Sequence, residues 1–222
     1  MIILNGHLHN SRIVKRTTDI LEERALEDSA DYLSKNAKDA VICYIDERDK
    51  IYNICLNEIE GDGLHCEFGV HKGDSINWFS SEKPQTTWHG FDSFIGLREN
   101  WKGGEFAKGH FNLNGIMPKV NRNVKLYKGW FDETLPDFLK EHKEDFSFIN
   151  IDCDTYEATK EVLNSIDKKR MKKGCVILFD EYFGYVGWRH NEFKAWQEYV
   201  KKNKINYKYI ALGHLKAVVK II

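Results

Sequence analysis

Residues 146–163 read FSFINIDCDTYEATKEVL. The first six are a short apolar run of aromatic and β-branched residues, the composition of a strand buried in a sheet. From Tyr156 onward, Ala158, Val162 and Leu163 recur at helical spacing, so the stretch reads as strand, turn and helix. Between the strand and the helix stand Asp152 and Asp154, like charges from which a buried strand end gains no packing.

The same alternation extends in both directions. LHCEFGV, TTWHGFD, VKLYKG and CVILFD are further short apolar runs, separated by the helix-like segments DSINWFSSE and ETLPDFLKEH. Alternation of this kind predicts a mostly parallel sheet covered on both faces. YKYIAL and KAVVKII end the chain, and the short connection between them supports only an antiparallel hairpin. Upstream, Ile20, Leu21, Ala25, Leu26, Ala30 and Leu33 predict a helix from Lys15 to Asn36, and ERDKIYNICLNEIE predicts a second before the GDG break at 61–63. Residues 93–123 form a connection several times the usual ~4–6 residues, the length of a lid or binding loop, with Gly96, Gly103, Gly104, Gly109 and Gly115 to let it close.

In an open parallel sheet, ligands bind beyond the carboxyl ends of the strands, so the residues that follow each apolar run share one rim. Here those residues are Glu67 and Gly69, then Asp92, Gly129, Asp152 with Asp154, and Asp180 with Glu181. Carboxylates gathered so closely call for cations. The turn after LHCEF is a poor dinucleotide site, because His71 and Asp74 stand where glycines are needed and Asp74 would face a pyrophosphate. Glu67, Gly69 and Gly73 suit a ligand without phosphate, and Asp92 is placed to take ribose hydroxyls. A ribose carrying a cationic attachment fits that pattern.

FGVHKGDS, HGFDSF, KGWFDETLP, IDCDTYEATKEVL and LFDEYFGYVGWR together resemble the class I S-adenosylmethionine-dependent methyltransferases, and within them the metal-dependent sugar O-methyltransferases typified by macrocin O-methyltransferase. The resemblance runs from Leu64 to Trp196. It implies a single α/β domain over 1–222, with a Rossmann-like sheet in 61–222 that ends in an antiparallel hairpin, and a helical extension or lid in 1–60. By the same resemblance, Glu67, Gly69, Gly73, Ser75, Asp92, Ser93, Gly129 and Asp152 line the cofactor, Asp152, Asp180 and Glu181 hold Mg²⁺, and Asp154 is the catalytic base. The implied reaction is O-methylation of a sugar or glycosylated small molecule. Hard oxygen ligands favour Mg²⁺, with Mn²⁺ or Ca²⁺ as substitutes. Another small-molecule acceptor, such as a catechol, an amine or a phosphorylated metabolite, is the alternative, and a non-catalytic cofactor-binding partner is a third reading. Homo-oligomers are common in such families.

Structural readings stand beside several of these. Asp154 with Glu157 fits a capping box, Asp92 a turn start, and Asp180 and Glu181 solvated strand ends. The segment from Tyr182 to Trp188 offers aromatic faces for a sugar ring or adenine, while Phe193 and Trp196 have the spacing of a helix core face. His190 is either a second proton acceptor or an inert surface group, and the DKKRMKK and KKNKINYK runs either hold an anion or complement helix ends. With 33 basic and 34 acidic residues, no global field recommends nucleic acid or an anionic membrane. Five cysteines without a CxxC pair suit a reduced compartment. The start MIIL has only four apolar residues before polar ones take over, and no later stretch approaches the length of a membrane span, so the expected location is the cytoplasm.

Overall fold

The computed structural model describes residues 16–44 and 46–222, so the opening segment MIIL and its neighbours lie outside the described residues. Among the described residues, eight strands form one sheet in the order β1-β7-β8-β6-β5-β2-β3-β4. The central strands are β2 (Leu64–Phe68), β3 (Trp88–Asp92), β4 (Val124–Lys128), β5 (Phe146–Ile151) and β6 (Val176–Phe179). All pair in parallel. β2, β5 and β6 are buried along their whole length, which explains why their sequences are continuous rather than alternating. β7 (Tyr207–Leu212) and β8 (Ala217–Ile221) form the expected antiparallel hairpin, and β8 joins it to β6.

Helices α3 (Asp74–Glu82), α4 (Phe131–Glu141), α5 (Tyr156–Ser165) and α6 (Glu192–Asn203) connect and cover the strands. Their packing creates a core on each face of the sheet. One contains Phe68, Phe91, Ile149, Phe179, Tyr182 and Trp196, and the other Ile76, Phe79, Trp88, Phe148 and Val218. The chain runs outward in one direction through β2, β3 and β4 and in the other through β5 and β6. β2 and β5 are therefore the point where strand order reverses, and a crevice opens above their carboxyl ends.

Upstream, α1 (Thr17–Asn36) and α2 (Arg48–Glu58) match the expected helices. Between them lies an unexpected element, β1 (Val41–Ile42), which pairs in parallel with β7 at the sheet edge. α1 is held on its inner side by Tyr32, whose ring packs edge-on against Trp188 at 5.9 Å, Phe193 at 4.9 Å and Tyr209 at 6.5 Å. Asp28 adds a two-pronged ion pair with Arg189 at 2.6 and 2.8 Å. No helix among the described residues is long and apolar enough to cross a membrane.

Candidate active site

The strand ends are stitched into one rim by backbone hydrogen bonds. The Asp180 N–H donates to Ile151 O, Asp152 N–H to Phe68 O, Gly69 N–H to Phe91 O and Gly129 N–H to Asp92 O, all at 2.9–3.0 Å. Above that rim lies a cavity of about 310 Å³ whose walls include Gly69, Asp92, Ser93, Gly129, Asp152, Asp154, Asp180 and Glu181. Apart from Glu67, the residues expected from sequence at the rim thus share one cavity. Glu67, Gly73 and Ser75 are not in its wall.

Glu67 lies beneath the crevice, fully buried, where it accepts hydrogen bonds from Ser75 Oγ at 2.9 Å and Asn150 Nδ2 at 3.1 Å. It braces β2, β5 and α3 rather than touching the cavity. Gly73 adopts a left-handed conformation (φ 85°) just before α3. Gly69, also left-handed (φ 95°), lies against the chain itself, since a Cβ there would sit 1.6 Å from the carbonyl oxygen of Asp152. The close approach that demands glycine is therefore to the neighbouring acidic loop.

Burial pushes the Glu67 carboxyl up to about 8, against the pull of its two hydrogen bonds. An unfolded glutamate ionises near pH ~4.3, so between there and about 8 the unfolded chain sheds a proton that the folded one keeps. Stability falls as pH rises through that window. Glu67→Gln keeps the shape and removes the titration. It should raise the melting temperature relative to wild type by several degrees more at pH 8 than at pH 5, and an equal change at both would refute a buried, protonated Glu67.

Asp92 is already well occupied. Its Oδ2 accepts the N–H groups of Val70 at 2.9 Å and His71 at 2.8 Å, and its Oδ1 that of Phe94 at 2.7 Å. The side chain staples the turn after β2 to the turn after β3, leaving less free acceptor capacity than a grip on two ribose hydroxyls requires. Ser93, beside it in the wall, carries a further hydroxyl.

Asp154 is not the cap of α5. That role falls to Thr155, whose Oγ1 accepts the Ala158 N–H at 3.4 Å. Asp154 instead adopts a left-handed backbone conformation (φ 61°) and is 6% exposed, a strained arrangement characteristic of functional positions. Burial first, and then Asp180 and Asp92, push its carboxyl up to about 7. Asp152 and Glu181 are pushed well above the carboxylate range, chiefly by burial and next by Asp180. One oxygen from each of Asp152, Asp180 and Glu181 can be chosen so that all lie within 4.8 Å of one another. Glu181 Oε2 is buried with no hydrogen-bond partner.

Some components of the site have no counterpart in the sequence reading. Glu192, in the first turn of α6, is fully buried and accepts the Glu181 N–H at 3.2 Å, with the Cys153 N–H also favouring its charged form. It ties together the loops that follow β5 and β6. Arg98 lines the cavity from the long loop, bonded to Asp132 at 2.7 Å and Glu161 at 3.1 Å and lying 4.3 Å from the Trp130 ring. Phe111, Trp130 and Phe131 supply the aromatic wall. The segment from Tyr182 to Trp188 does not, because Tyr182 and Trp188 are core residues. His190 is exposed and also outside the wall.

The long loop does wall the cavity, through Ser93, Gly96, Leu97, Arg98 and Phe111. Its glycines serve packing as much as freedom, since a Cβ on Gly103 would lie 1.9 Å from Val186 O. Nothing in the described part of 1–60 reaches the cavity wall, since α1 is committed to the aromatic layer around Trp188.

A family profile described as a methyltransferase domain matches residues 66–182, more than half of the chain. The chain belongs to that methyltransferase family. Its fold is that of a class I enzyme, and the methyltransferase uses S-adenosylmethionine. Among solved structures it is similar to CalS11, a calicheamicin methyltransferase, at TM-score 0.63 and 19% identity over 99% of each chain. An apo structure of CalS11, described as a TDP-rhamnose 3'-O-methyltransferase, aligns at TM-score 0.57 and 22% identity over 77% of each chain. A Staphylococcus aureus protein described as a caffeoyl-CoA O-methyltransferase aligns at TM-score 0.52 and 12% identity, covering 91% of this methyltransferase and 95% of that chain. At these identities the likeness is one of fold. A comparison with curated protein sequences finds no match.

Proposed function

We propose that this methyltransferase transfers the methyl group to a hydroxyl oxygen of a sugar or glycosylated small molecule, with Asp154 as the base. The observation that carries the reading is Asp154 itself. A buried carboxyl in a strained conformation, pushed up to about 7, faces the same cavity as the acidic residues at the ends of β5 and β6. An alcohol is a poor nucleophile until a properly placed group takes its proton, and a carboxyl of near-neutral pKa is suited to that task. The likeness to CalS11 favours a sugar acceptor, and the aromatic wall of Phe111, Trp130 and Phe131 offers faces for apolar stacking.

The residues also fit a divalent cation. Asp152, Asp180 and Glu181 converge as an all-oxygen set, and the buried Glu181 Oε2 lacks any other partner. These are donors for a hard ion such as Mg²⁺. A cation held there supplies a lowered pKa for a hydroxyl bound to it. The chain's own contributions are to orient that hydroxyl, accept its proton at Asp154 and keep the loops in register through Glu192. Gly69, Asp92, Ser93, Gly129 and Asp152 are the cofactor-lining residues in this reading, with Glu67, Gly73 and Ser75 supporting them from behind. The chain acts as one domain over 1–222, and its reduced cysteines, all buried, suit the cytoplasm.

Calorimetry with S-adenosylhomocysteine, with and without Mg²⁺, followed by methyl-transfer assays on hydroxylated glycosides, tests this reading. Expected are micromolar binding of S-adenosylhomocysteine, methylation at oxygen, and activity that is lost with a chelator and in Asp152→Ala. Methylation at nitrogen would overturn the acceptor class. Activity indifferent to chelator would remove the metal.

A further inference from the structure

Lys216 stands immediately before β8, in the hairpin turn that also receives the N–H groups of Tyr182 and Phe183 through Leu215 O. Its side chain is 19% exposed, and its ammonium is ion-paired with Asp180 Oδ1. Asp152 and Glu181 also act on it as nearby negative charges. Lys216 is absent from the cavity wall, so it approaches the carboxylates from the hairpin side, leaving the cavity side open. Among the described residues it is the cationic side chain that forms an ion pair with this triad.

Three carboxylates carry a charge of −3 when ionised. A lysine and a divalent cation together neutralise that charge, whereas the lysine ion-paired with Asp180 offsets one charge alone. We propose that Lys216 is a built-in counter-cation that sets how tightly the triad binds a divalent ion. It engages one oxygen of Asp180 and places a like charge beside the incoming ion, which weakens binding. It also keeps the triad folded before any ion arrives, because an uncompensated buried carboxylate cluster is strongly destabilising. This rests on the proposed metal role of Asp152, Asp180 and Glu181.

The test is calorimetric binding of Mn²⁺ to the purified full chain, with no acceptor present, for wild type, Lys216→Met, Lys216→Gln and Lys216→Arg. Removing the charge should tighten Mn²⁺ binding tenfold or more in the Met and Gln variants, and Lys216→Arg should stay near wild type. Without metal, the Met variant should melt at a lower temperature than wild type, and saturating Mn²⁺ should raise its melting temperature by more. A purely structural lysine would give the opposite sign, with weaker binding once the site is disordered. If Lys216→Met does not fold, Lys216→Gln decides. Wild type that binds Mn²⁺ together with a neutral variant that binds it no more tightly overturns the role of Lys216 and leaves the metal reading standing. Mn²⁺ binding by neither wild type nor the neutral variants overturns both.

Discussion

Asp154→Asn is expected to lower turnover by roughly 10²- to 10⁴-fold, the usual contribution of a positioned general base, while S-adenosylhomocysteine binding remains near wild type. The substitution is unusually clean here. Asparagine preserves the shape of aspartate and tolerates the left-handed conformation that Asp154 adopts (φ 61°) better than other non-glycine residues. A fall in turnover would therefore report lost proton acceptance rather than a collapsed loop. The pH profile gives a second readout. The base works in its ionised form, so wild-type kcat/KM should rise with pH through the pKa of Asp154, about 7 in the absence of a cation. A divalent ion bound beside it favours the charged carboxylate and should move that limb to lower pH. The asparagine variant should lose the limb. Unchanged turnover in single-turnover assays would remove Asp154 from the mechanism.

Gly69→Ala is expected to produce the largest loss of stability of any single methyl added at the site. The new Cβ would lie 1.6 Å from Asp152 O, against backbone rather than a flexible side chain, and the residue would also have to hold φ at +95°. Displacing the loop breaks the Asp152 N–H to Phe68 O bond and carries the Asp152 carboxylate with it. A cost on the order of 4 kcal/mol corresponds to a fall in melting temperature of roughly 8–16 °C for a chain of this size. Gly109→Ala is the matched control. Its φ is +82° but no heavy atom lies within 4 Å of the added Cβ, so it measures the conformational cost alone, about 1–2 kcal/mol. Comparable melting temperatures for the two variants would show that the contact between Gly69 and Asp152 is not tight in solution.

The strands and the acidic rim are legible in the sequence for a common reason. Each strand from β2 to β6 is an apolar run short enough to bound, and the polar residue that ends it marks the carboxyl rim. β1 escapes notice because Val41 and Ile42 are too few to show a period, and both are exposed. Their pairing depends on where β7 leaves an open edge. Asp154 is legible as a site residue, but its capping alternative is settled only by backbone geometry, since Thr155 offers an equally good cap one position on. Glu192 and Lys216 carry no local signal. An acidic residue in a helix's first turn and a lysine beside a hairpin turn both have ordinary explanations in their own elements, and only the fold brings them against Glu181 and Asp180. The placement of Glu67 illustrates the same limit from the other side. Its position at a strand end is right for a ligand contact, yet Ser75 and Asn150 take up its oxygens.

The docking of α1 has a consequence for how the chain is made. Tyr32 bonds Tyr209 through their hydroxyls at 3.1 Å, and β1 pairs with β7, so the partners of the upstream elements are encoded near the opposite end. At a synthesis rate of ~5–20 residues per second, roughly 10–40 s separate the emergence of α1 from that of the strands that receive it. Through that interval Ala25, Tyr32 and Leu33, the face that finally packs on the core, has no native partner. The upstream helix is thus expected to be among the last pieces to settle, which pulse-labelled hydrogen exchange during refolding would read as late protection of α1.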